Sequence, residues 1–308
     1  MAGGFDQSGT PSYTTISIDF INVPTLGNSI NFGNLSAAGQ DAHGCGSETR
    51  GIYQGKFNGN LIEYITIAAT GNAVDFGDDS AILAGRAAAS SSTRGVLAGG
   101  YGPSPYPQSN VINHLTISTL GNVADFGDLS FGHSDAAGAS NSTRMLIAGG
   151  YIFPSPTTYY NNIEYVTIPT LGNSTDFGDL TVGRFYGGAL SSTTRGVFGG
   201  GQISATRQNT IGYITIASTG DAADFGNLSV GFIFQTAASS QTRGVFAGGQ
   251  SAGTNVNTIE YITVATPSNA TDFGDLDAAN NGHTSCCNLV RICLLYTSDA
   301  ADDSLRVD

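Results

Sequence analysis

"IEYVTIPTLGNSTDFGDL", residues 163–180, is the stretch that decides the fold, because its closing motif recurs along the chain. The triplet Asp176-Phe177-Gly178 also stands in the magnesium-binding loop of protein kinases, so a metal site is one interpretation. A kinase loop occurs once, however, whereas this phenylalanine occurs six times at intervals of 44 to 51 residues. A period of that length predicts stacked repeats such as propeller blades. The six copies are Phe32, Phe76, Phe126, Phe177, Phe225 and Phe273.

An arginine follows each phenylalanine at a constant distance of eighteen residues. These six account for most of the chain's 11 basic residues, so the basic side chains mainly serve the repeat. We expect each phenylalanine to be buried between blades, where it contributes about 1.5–3 kcal/mol. The arginines are Arg50, Arg94, Arg144, Arg195, Arg243 and Arg291.

We expect the repeat arginines to pair with the aspartates that precede the phenylalanines. Removing Arg195 would then leave a partly buried carboxylate unpaired and destabilise the fold. A calcium role for the Asp-x-x-Asp spacing is the functional alternative to this structural interpretation. The aspartates are Asp75, Asp125, Asp176, Asp224 and Asp272, and the first copy has Asn31 instead.

Each repeat consists of four short strand patterns. Residues 183–228 contain the small-residue segment "YGGALSS", then "TRGVFGGG", "TIGYITIAS" and "ADFGNL". No apolar stripe with the 3.6-residue period of a helix accompanies them, so the sequence predicts an all-β repeat. The third strand is apolar on both faces, as expected for blades that pack against neighbours on both sides.

The order of these segments resembles the kelch repeat: a small-residue strand, a strand ending in Gly-Gly, a variable loop, "IEYITIAT", then an aromatic residue. The tryptophan usual in the fourth kelch strand is here the phenylalanine of the triplet, so the chain departs from the family at that position. The amino-acid sequences of the repeats are also similar to those of kelch-like proteins of marine phages. Such proteins are often labelled as associated with the virion or the tail. The doublets are Gly99-Gly100, Gly149-Gly150, Gly199-Gly200 and Gly248-Gly249.

The resemblance implies a six-bladed β-propeller over residues 1–291 with one blade shared between the chain's ends. "MAGG" at residues 1–4 aligns with the end of a second strand, so the N-terminal part supplies strands three and four of blade one. "DAANNGHTSCCNLVR", at residues 277–291, aligns with a first strand. Joining the two parts would hide the free sheet edges.

The last residues have a different origin in our interpretation. "CLLYTSDAAD", residues 293–302, resembles the translation of a common transposase sequencing adaptor. We therefore expect residues 292–308 to be an adaptor-derived segment rather than a domain, and the natural coding sequence to be truncated near Arg291.

Composition excludes several classes of function. The formal net charge is −13, which disfavours nucleic acid and anionic membranes as partners because both require clustered basic residues. Residues 1–10 lack the basic and apolar regions of a signal peptide, and no apolar stretch is long enough to insert into a membrane. Lys56 is the single lysine, and the four cysteines have no metal-ligand spacing.

The loops that join strands two and three vary most between repeats, which is typical of a scaffold that displays a recognition surface. In kelch-like blades these loops emerge on the same face as the connections between blades. Aromatic residues are concentrated in two adjacent loops and suit protein anchoring or sugar stacking. Our interpretation of the nearby Arg86, His133, Arg184 and Arg207 as polar residues in contact with solvent competes with a role in binding. The full set of loop candidates is Tyr101, Tyr106, His133, Tyr151, Phe153, Tyr159, Tyr160, Arg184 and Arg207.

No catalytic constellation is visible in the sequence. His43 and Cys45 lie on a small-residue strand without a supporting pattern, and we expect no catalytic residue, metal or cofactor. The leading hypothesis is a non-enzymatic binding scaffold of a phage virion or tail, contacting a protein or glycan on a host surface or other virion proteins. Its location would be the virion or the extracellular space. The alternatives are a cellular kelch adaptor for protein partners and a propeller enzyme with a site in the central funnel.

Overall fold

The computed structural model describes residues 16–36, 42–56, 59–153, 158–282, 284–287 and 291–295. The chain is a six-bladed β-propeller made of six four-stranded antiparallel sheets, which confirms the predicted fold class. The inner strands of neighbouring blades lie side by side around the axis and close into a ring.

The blades are numbered 1 to 6 in order around the ring, and the strands are numbered in chain order. The first half of the chain forms β1 Ser17–Asn22, β2 Ile30–Asn34, β3 His43–Gly46, β4 Arg50–Lys56, β5 Gly59–Thr66, β6 Val74–Asp78, β7 Ala87–Ser90, β8 Arg94–Ala98, β9 Val111–Thr116, β10 Ala124–Asp128, β11 Ala137–Ser140, β12 Arg144–Ala148, β13 Tyr151–Ile152 and β14 Thr158–Tyr159. The second half forms β15 Asn162–Thr167, β16 Thr175–Asp179, β17 Phe185–Ser191, β18 Arg195–Ile203, β19 Thr206–Arg207, β20 Thr210–Thr215, β21 Ala223–Asn227, β22 Thr236–Ser239, β23 Arg243–Ala247, β24 Gln250–Ser251, β25 Thr254–Thr263, β26 Thr271–Asn280, β27 Thr284–Cys287 and β28 Arg291–Leu295.

Blade 1 joins the two ends of the described chain, in the order β27, β28, β1, β2 from the axis outward. Strands β1 and β28 pair antiparallel with Phe20 opposite Cys293 and Ile21 opposite Ile292. The predicted sharing of blade 1 is therefore confirmed, with strands three and four supplied by the N-terminal part. Residues 292–295 occupy the second-strand position, and their adaptor origin stays a prediction from sequence. Residues 1–4 and 296–308 lie outside the described residues.

Blades 2 to 6 follow in chain order and begin with the inner strands β3, β7, β11, β17 and β22. The phenylalanine of the repeated triplet is only 2–3% exposed in all six copies, as predicted. Phe177 packs with Ile163 of its own blade and with Phe198 and Ile214 of the next blade in one cluster. Burial of the ring thus fastens each blade to the next.

The glycine of the triplet permits a second junction at the outer edge. At each triplet the outer strand has a β-bulge, and in blade 3 Gly127 follows it with a φ of +150°. A Cβ at this position would stand 2.5 Å from the carbonyl carbon of Gly172 in blade 4. The close approach lets the Gly172 amide donate to the Phe126 carbonyl at 2.9 Å, and Asn173 Oδ1 accept from the Asp128 amide at 3.0 Å. The Asp-Phe-Gly motif is therefore a blade junction.

The expected pairing of the repeat arginine with the triplet aspartate is wrong for Arg195. Its Nη1 donates to the carbonyl of Val264 in blade 6 at 3.0 Å, and Asp176 is exposed. Within the described part of the chain no ion pair joins these two residues. The arginine is a cross-blade donor to a main-chain carbonyl.

Serine hydroxyls join the inner strands, which belong to different sheets. Ser140 Oγ donates to the Ser90 carbonyl at 2.7 Å and accepts from the Ser90 amide at 3.2 Å. The same pair of hydrogen bonds links Ser191 to Ser140 and Ser239 to Ser191. We call Ser90, Ser140, Ser191 and Ser239 the serine belt, which holds the axis of the propeller together.

Candidate recognition surface

The propeller has two distinct faces. The loop face carries the connections between strands two and three and those between blades, and the hairpin face carries the tight turns within blades. A cavity of about 160 Å³ lies on the axis at the loop face and is lined by the starts of the inner strands. A second axial cavity of about 320 Å³ lies at the hairpin face, lined by the serine belt and its hairpins.

A series of main-chain hydrogen bonds runs beside the cavity at the loop face. In five blades a residue at or near the start of the inner strand has a left-handed φ between +57° and +65°. Four bonds join these five residues in succession, since from the second residue onward each amide donates to the carbonyl of the preceding member at 2.7 to 3.1 Å. We call these residues the collar: Gly85, Asp135, Tyr186, Phe234 and Gly282. The equivalent position in blade 2 by sequence is Asp41, which lies outside the described residues.

Three collar residues are not glycine. Asp135, Tyr186 and Phe234 hold φ values of +57°, +58° and +57°. A left-handed backbone costs an L residue roughly 1–2 kcal/mol, and such conformations are concentrated at binding and catalytic sites. The three side chains line the axial cavity, so the strained positions and the cavity coincide.

Sequence reasoning missed the collar, although the repeat contains a signal for it. Each member lies nine residues before a repeat arginine, in one slot of the repeat. The slot holds Gly, Asp, Tyr or Phe, which share no chemistry that a sequence pattern would reveal. What they share is the left-handed backbone conformation of the hydrogen-bonded series.

A continuous aromatic cluster extends from the collar to the loops of blade 4. The rings of Tyr186 and Phe234 have centroids 4.0 Å apart, and Phe185 lies 4.6 Å from Tyr186. Tyr151 lies 4.5 Å from Phe185, and Tyr159 stacks on Phe185 at 5.3 Å. Two of the predicted loop aromatics, Tyr151 and Tyr159, are therefore linked through Phe185 to the rings that line the axial cavity, which the sequence did not single out.

The other loop aromatics form smaller groups on the same face. Tyr101 and Tyr106 make an edge contact at 6.1 Å, and Tyr106 is 38% exposed. Phe153 is 45% exposed, and its carbonyl accepts a hydrogen bond from Gln108 of blade 3 at 3.4 Å. Tyr160 lies 4.5 Å from Phe131 and is half-buried. Tyr106 and Phe153 are thus the most accessible of the predicted rings.

Two of the predicted polar candidates are buried, which corrects their interpretation as residues in contact with solvent. His133 packs against Phe131 at a centroid distance of 4.9 Å, with the Tyr160 ring farther away at 6.3 Å, and its Nδ1 lies 3.2 Å from the Phe131 carbonyl. Arg184 donates to the carbonyls of Gly200 and Thr210 at 3.0 and 2.9 Å. Burial lowers the pKa of Arg184 to about 10.

Arg86 is likewise buried, against the sequence interpretation, and lies beneath the cavity. It forms an ion pair with Asp79 at 2.6 Å, and its Nη2 donates to Asn113 Oδ1 at 2.9 Å. Burial lowers the pKa of Arg86, and the Asp79 carboxylate opposes that shift. Gln54 links this pair to His43, since it contacts both Asp79 and the His43 ring. Arg207 is half-buried and donates to Gln250 Oε1 of blade 6 at 2.7 Å.

Cys45, on the inner strand of blade 2, is buried and offers no reactive thiol. Burial raises the pKa of Cys45 to about 12, with a smaller contribution from Cys286, so the thiol stays protonated at neutral pH. In the described ranges, no three His, Cys, Asp or Glu side chains gather as metal ligands. The described residues also include no helix that could span a membrane.

The sequence matches no protein-family model and no curated protein. The fold and the site geometry therefore carry the functional argument.

Proposed function

We propose that the protein is a non-enzymatic, kelch-like recognition scaffold whose loop face binds a protein or glycan on a host surface. The observation that carries the proposal is the aromatic cluster that runs from the collar to the loops of blade 4. Aromatic rings with one polar tip supply large contact areas at little entropic cost, and they dominate both protein and sugar recognition. The rigid blades hold these rings in place before a ligand binds.

The proposal includes association with a phage virion or tail, where the protein would also contact other virion proteins. The similarity of the repeats to kelch-like phage proteins supports this location. A formal charge of −13 suits a soluble particle protein that avoids unspecific contacts with nucleic acid.

The proposal also states that the protein has no catalytic activity. Two buried basic side chains of the described part of the chain are engaged in the fold: Arg86 pairs with Asp79, and Arg184 donates to main-chain carbonyls. The thiol of Cys45 is held in its protonated form. An activity that required a free general base or a nucleophile at the axis would contradict this assignment.

The test is a binding assay with two pairs of variants. Tyr106→Ala and Phe153→Ala remove accessible rings from the loop face. Leu120→Ala and Leu171→Ala remove side chains that are 59% and 58% exposed on the hairpin face, and so serve as matched controls. The probes are a panel of bacterial surface polysaccharides and intact bacterial cells.

We expect the loop-face variants to weaken binding by about 30-fold, the loss typical of a hot-spot side chain. The hairpin-face variants should bind like the wild type. Equal binding by all four variants, or loss only in the leucine variants, would overturn the assignment of the loop face. The genes beside the uninterrupted coding sequence provide a second test: tail or capsid genes would support the virion location, and a metabolic operon would contradict it.

A further inference from the structure

We propose that a groove on the loop face, beside the loop of blade 3, receives a tryptophan side chain of a protein partner. One wall belongs to the connection from blade 2 to blade 3 and includes Ile82 and Leu83, and the other belongs to the loop and includes Pro103, Pro107 and Gln108. We call it the Ile82 groove. The inference rests on the proposed function and deepens it, because it names the kind of group that the loop face recognises.

The slot of the repeat that Ile82 occupies is covered in other blades. This slot lies twelve residues before the repeat arginine, and after blades 3, 4 and 5 it holds a glycine that faces the main chain of the preceding blade's loop. A Cβ there would stand about as close to a loop carbonyl oxygen as van der Waals contact forbids. The distances are 3.0 Å for Gly132 to Gln108, 3.2 Å for Gly183 to Tyr160 and 2.9 Å for Gly231 to Arg207.

The groove exists because the corresponding loop of blade 2 is short. In blade 3 residues 99–110 separate strands two and three, whereas in blade 2 strand β4 ends at Lys56 and strand β5 begins at Gly59. The slot after this short loop holds a branched side chain instead of a glycine, and Ile82 is 37% exposed. The exception to the repeat and the groove therefore coincide.

The lining of the groove favours an uncharged, largely apolar ligand. No residue that lines it is charged, and Pro103 and Pro107 are exposed on the wall opposite Ile82. A charged group would lose hydration here without meeting an opposite charge. An apolar side chain gains in proportion to the area that it buries, and aromatic side chains bury the most. The volume of about 550 Å³ lies within the roughly 300–1,000 Å³ of typical ligand pockets.

Gln108 supplies this apolar groove with a hydrogen-bond acceptor. Its Nε2 donates to the carbonyls of Tyr106 and Phe153 at 3.1 and 3.4 Å. Its Oε1 is buried and has no hydrogen-bond partner among the described residues. The terminal torsion of a glutamine has a broad energy minimum, so a small rotation can turn this oxygen towards an N–H group in the groove. An unpaired buried acceptor is costly, so the free protein lacks a bond that such a donor would restore.

These properties together select tryptophan. An indole has a large apolar body and one N–H donor, and it has no acceptor that would need a partner of its own. Phenylalanine and leucine lack the donor, and a sugar would bring several hydroxyl groups against aliphatic walls. Tryptophan is also enriched in the hot spots of protein interfaces. The chain contains no tryptophan, so the occupant belongs to another protein and not to a second copy of this one.

The experiment titrates the wild-type protein with three amino-acid derivatives and follows the NMR shifts of the Ile82, Leu83 and Gln108 amides. The probes are N-acetyl-tryptophanamide, N-acetyl-1-methyltryptophanamide, which lacks the indole N–H, and N-acetyl-phenylalaninamide. We expect the tryptophan probe to bind in the groove with a dissociation constant on the order of 1 mM. The other two should bind about fivefold more weakly, because they cannot donate to Gln108.

The variant Gln108→Met tests the acceptor, since methionine keeps the length of the side chain and removes its amide. It should bind the two indole probes equally, which a merely structural role of Gln108 would not produce. Gln208→Met is the matched control, because Gln208 in the loop of blade 5 likewise donates to the carbonyl two residues before it, at 3.2 Å. This control should keep the preference for the unmethylated indole, and thermal unfolding verifies that both variants fold.

A second pair of variants tests the apolar wall. Ile82→Ala should weaken all three probes by about threefold, because the apolar contact shrinks. Val230→Ala removes methyl groups from a side chain that is 44% exposed on the connection from blade 5 to blade 6, and it should have no effect.

Equal binding of the two indole probes to the wild type, or shifts confined to residues outside the groove, would overturn the inference. A preference that survives in Gln108→Met would overturn it as well, and stronger binding of methyl glucoside in the groove would favour a glycan site instead. Failure of the tryptophan probe leaves the loop-face recognition assay unaffected. Conversely, groove binding without host-surface recognition would reject the proposed function alone, so the two failures are distinguishable.

Discussion

Arg195 lies over the ring of Tyr213, with its Cζ 4.6 Å from the ring centroid. The same guanidinium donates to the Val264 carbonyl of the next blade at 3.0 Å. The repeat arginine therefore joins a ring in its own blade to the main chain of its neighbour. Four other blades have the same stacking, at 4.7 to 4.8 Å, in Arg50 on Tyr64, Arg144 on Tyr165, Arg243 on Tyr261 and Arg291 on Phe20.

Replacing Arg195 with alanine should lower the free energy of unfolding by about 1–3 kcal/mol. The loss comes from the stacking on Tyr213 and from the Val264 carbonyl that is left without its donor. Arg195→Lys should recover only part of it, because an ammonium group lacks the planar face. Urea unfolding followed by circular dichroism measures the change.

The matched control for this variant is Asp176→Asn. Asp176 is exposed, so its substitution should leave the free energy of unfolding within about 0.5 kcal/mol of the wild type. A loss as large as that of Arg195→Ala would indicate that Asp176 does pair with Arg195, contrary to the structure.

Blade 3 has His114 where four other blades have tyrosine and blade 1 has Phe20, and this difference predicts a stabilising substitution. His114 keeps the edge contact with the triplet phenylalanine, at 6.0 Å from Phe126. A tyrosine there would place a better face beneath Arg94, as in the other blades. His114→Tyr should raise the free energy of unfolding by about 0.5–1 kcal/mol at pH 7.5.

The same substitution should alter the dependence of stability on pH. Burial, and next the Arg94 charge, lower the pKa of His114 below its ordinary value of 6.5 in the folded state. The unfolded chain therefore binds more protons in acid, so this histidine makes stability fall as the pH drops through about 6.5. The gain from His114→Tyr should accordingly grow between pH 7.5 and pH 5.5. A gain that shrinks over this range would contradict the lowered pKa.

Gly127 and Gly172 provide a test of the outer junction. Both have a φ of +150°, but a Cβ on Gly127 would strike the Gly172 carbonyl, whereas one on Gly172 meets nothing within 4 Å. Gly172→Ala should cost only the backbone strain, about 1–3 kcal/mol. Gly127→Ala should cost that strain and roughly 1–3 kcal/mol more for the clash. Equal losses in urea unfolding would mean that blades 3 and 4 can separate at no cost.

The sequence predicted what the repeat encodes directly. A buried aromatic residue that recurs at one slot reveals the number of blades, and its hydrophobicity reveals that it is covered. The sequence did not predict the partner of Arg195, because the carbonyl that this arginine contacts is 69 residues farther along the chain. Spacing identifies a slot in the repeat, whereas the partner depends on how blades rotate against each other.

The candidate site was predictable only in part for a similar reason. Loop aromatics such as Tyr151 stood out by composition, and they do lie on the loop face. The prediction for Arg184 was wrong because a polar residue near a loop is expected to contact solvent. Its guanidinium instead donates hydrogen bonds to main-chain carbonyls and is buried. Phe234 was overlooked because its place at the cavity depends on a positive φ, which the residue type does not predict.

The serine belt yields a last prediction, about the axis of the propeller. Ser140 Oγ both donates to the Ser90 carbonyl and accepts from the Ser90 amide, so Ser140→Ala removes two hydrogen bonds between blades 3 and 4 at once. The free energy of unfolding should fall by about 1–3 kcal/mol, because part-buried main-chain groups lose their partners. Ser142→Ala is the control, since Ser142 is exposed on the hairpin that follows the same strand. If both variants unfold at the same urea concentration as the wild type, water replaces the hydroxyl in the axial cavity and the belt adds nothing to stability.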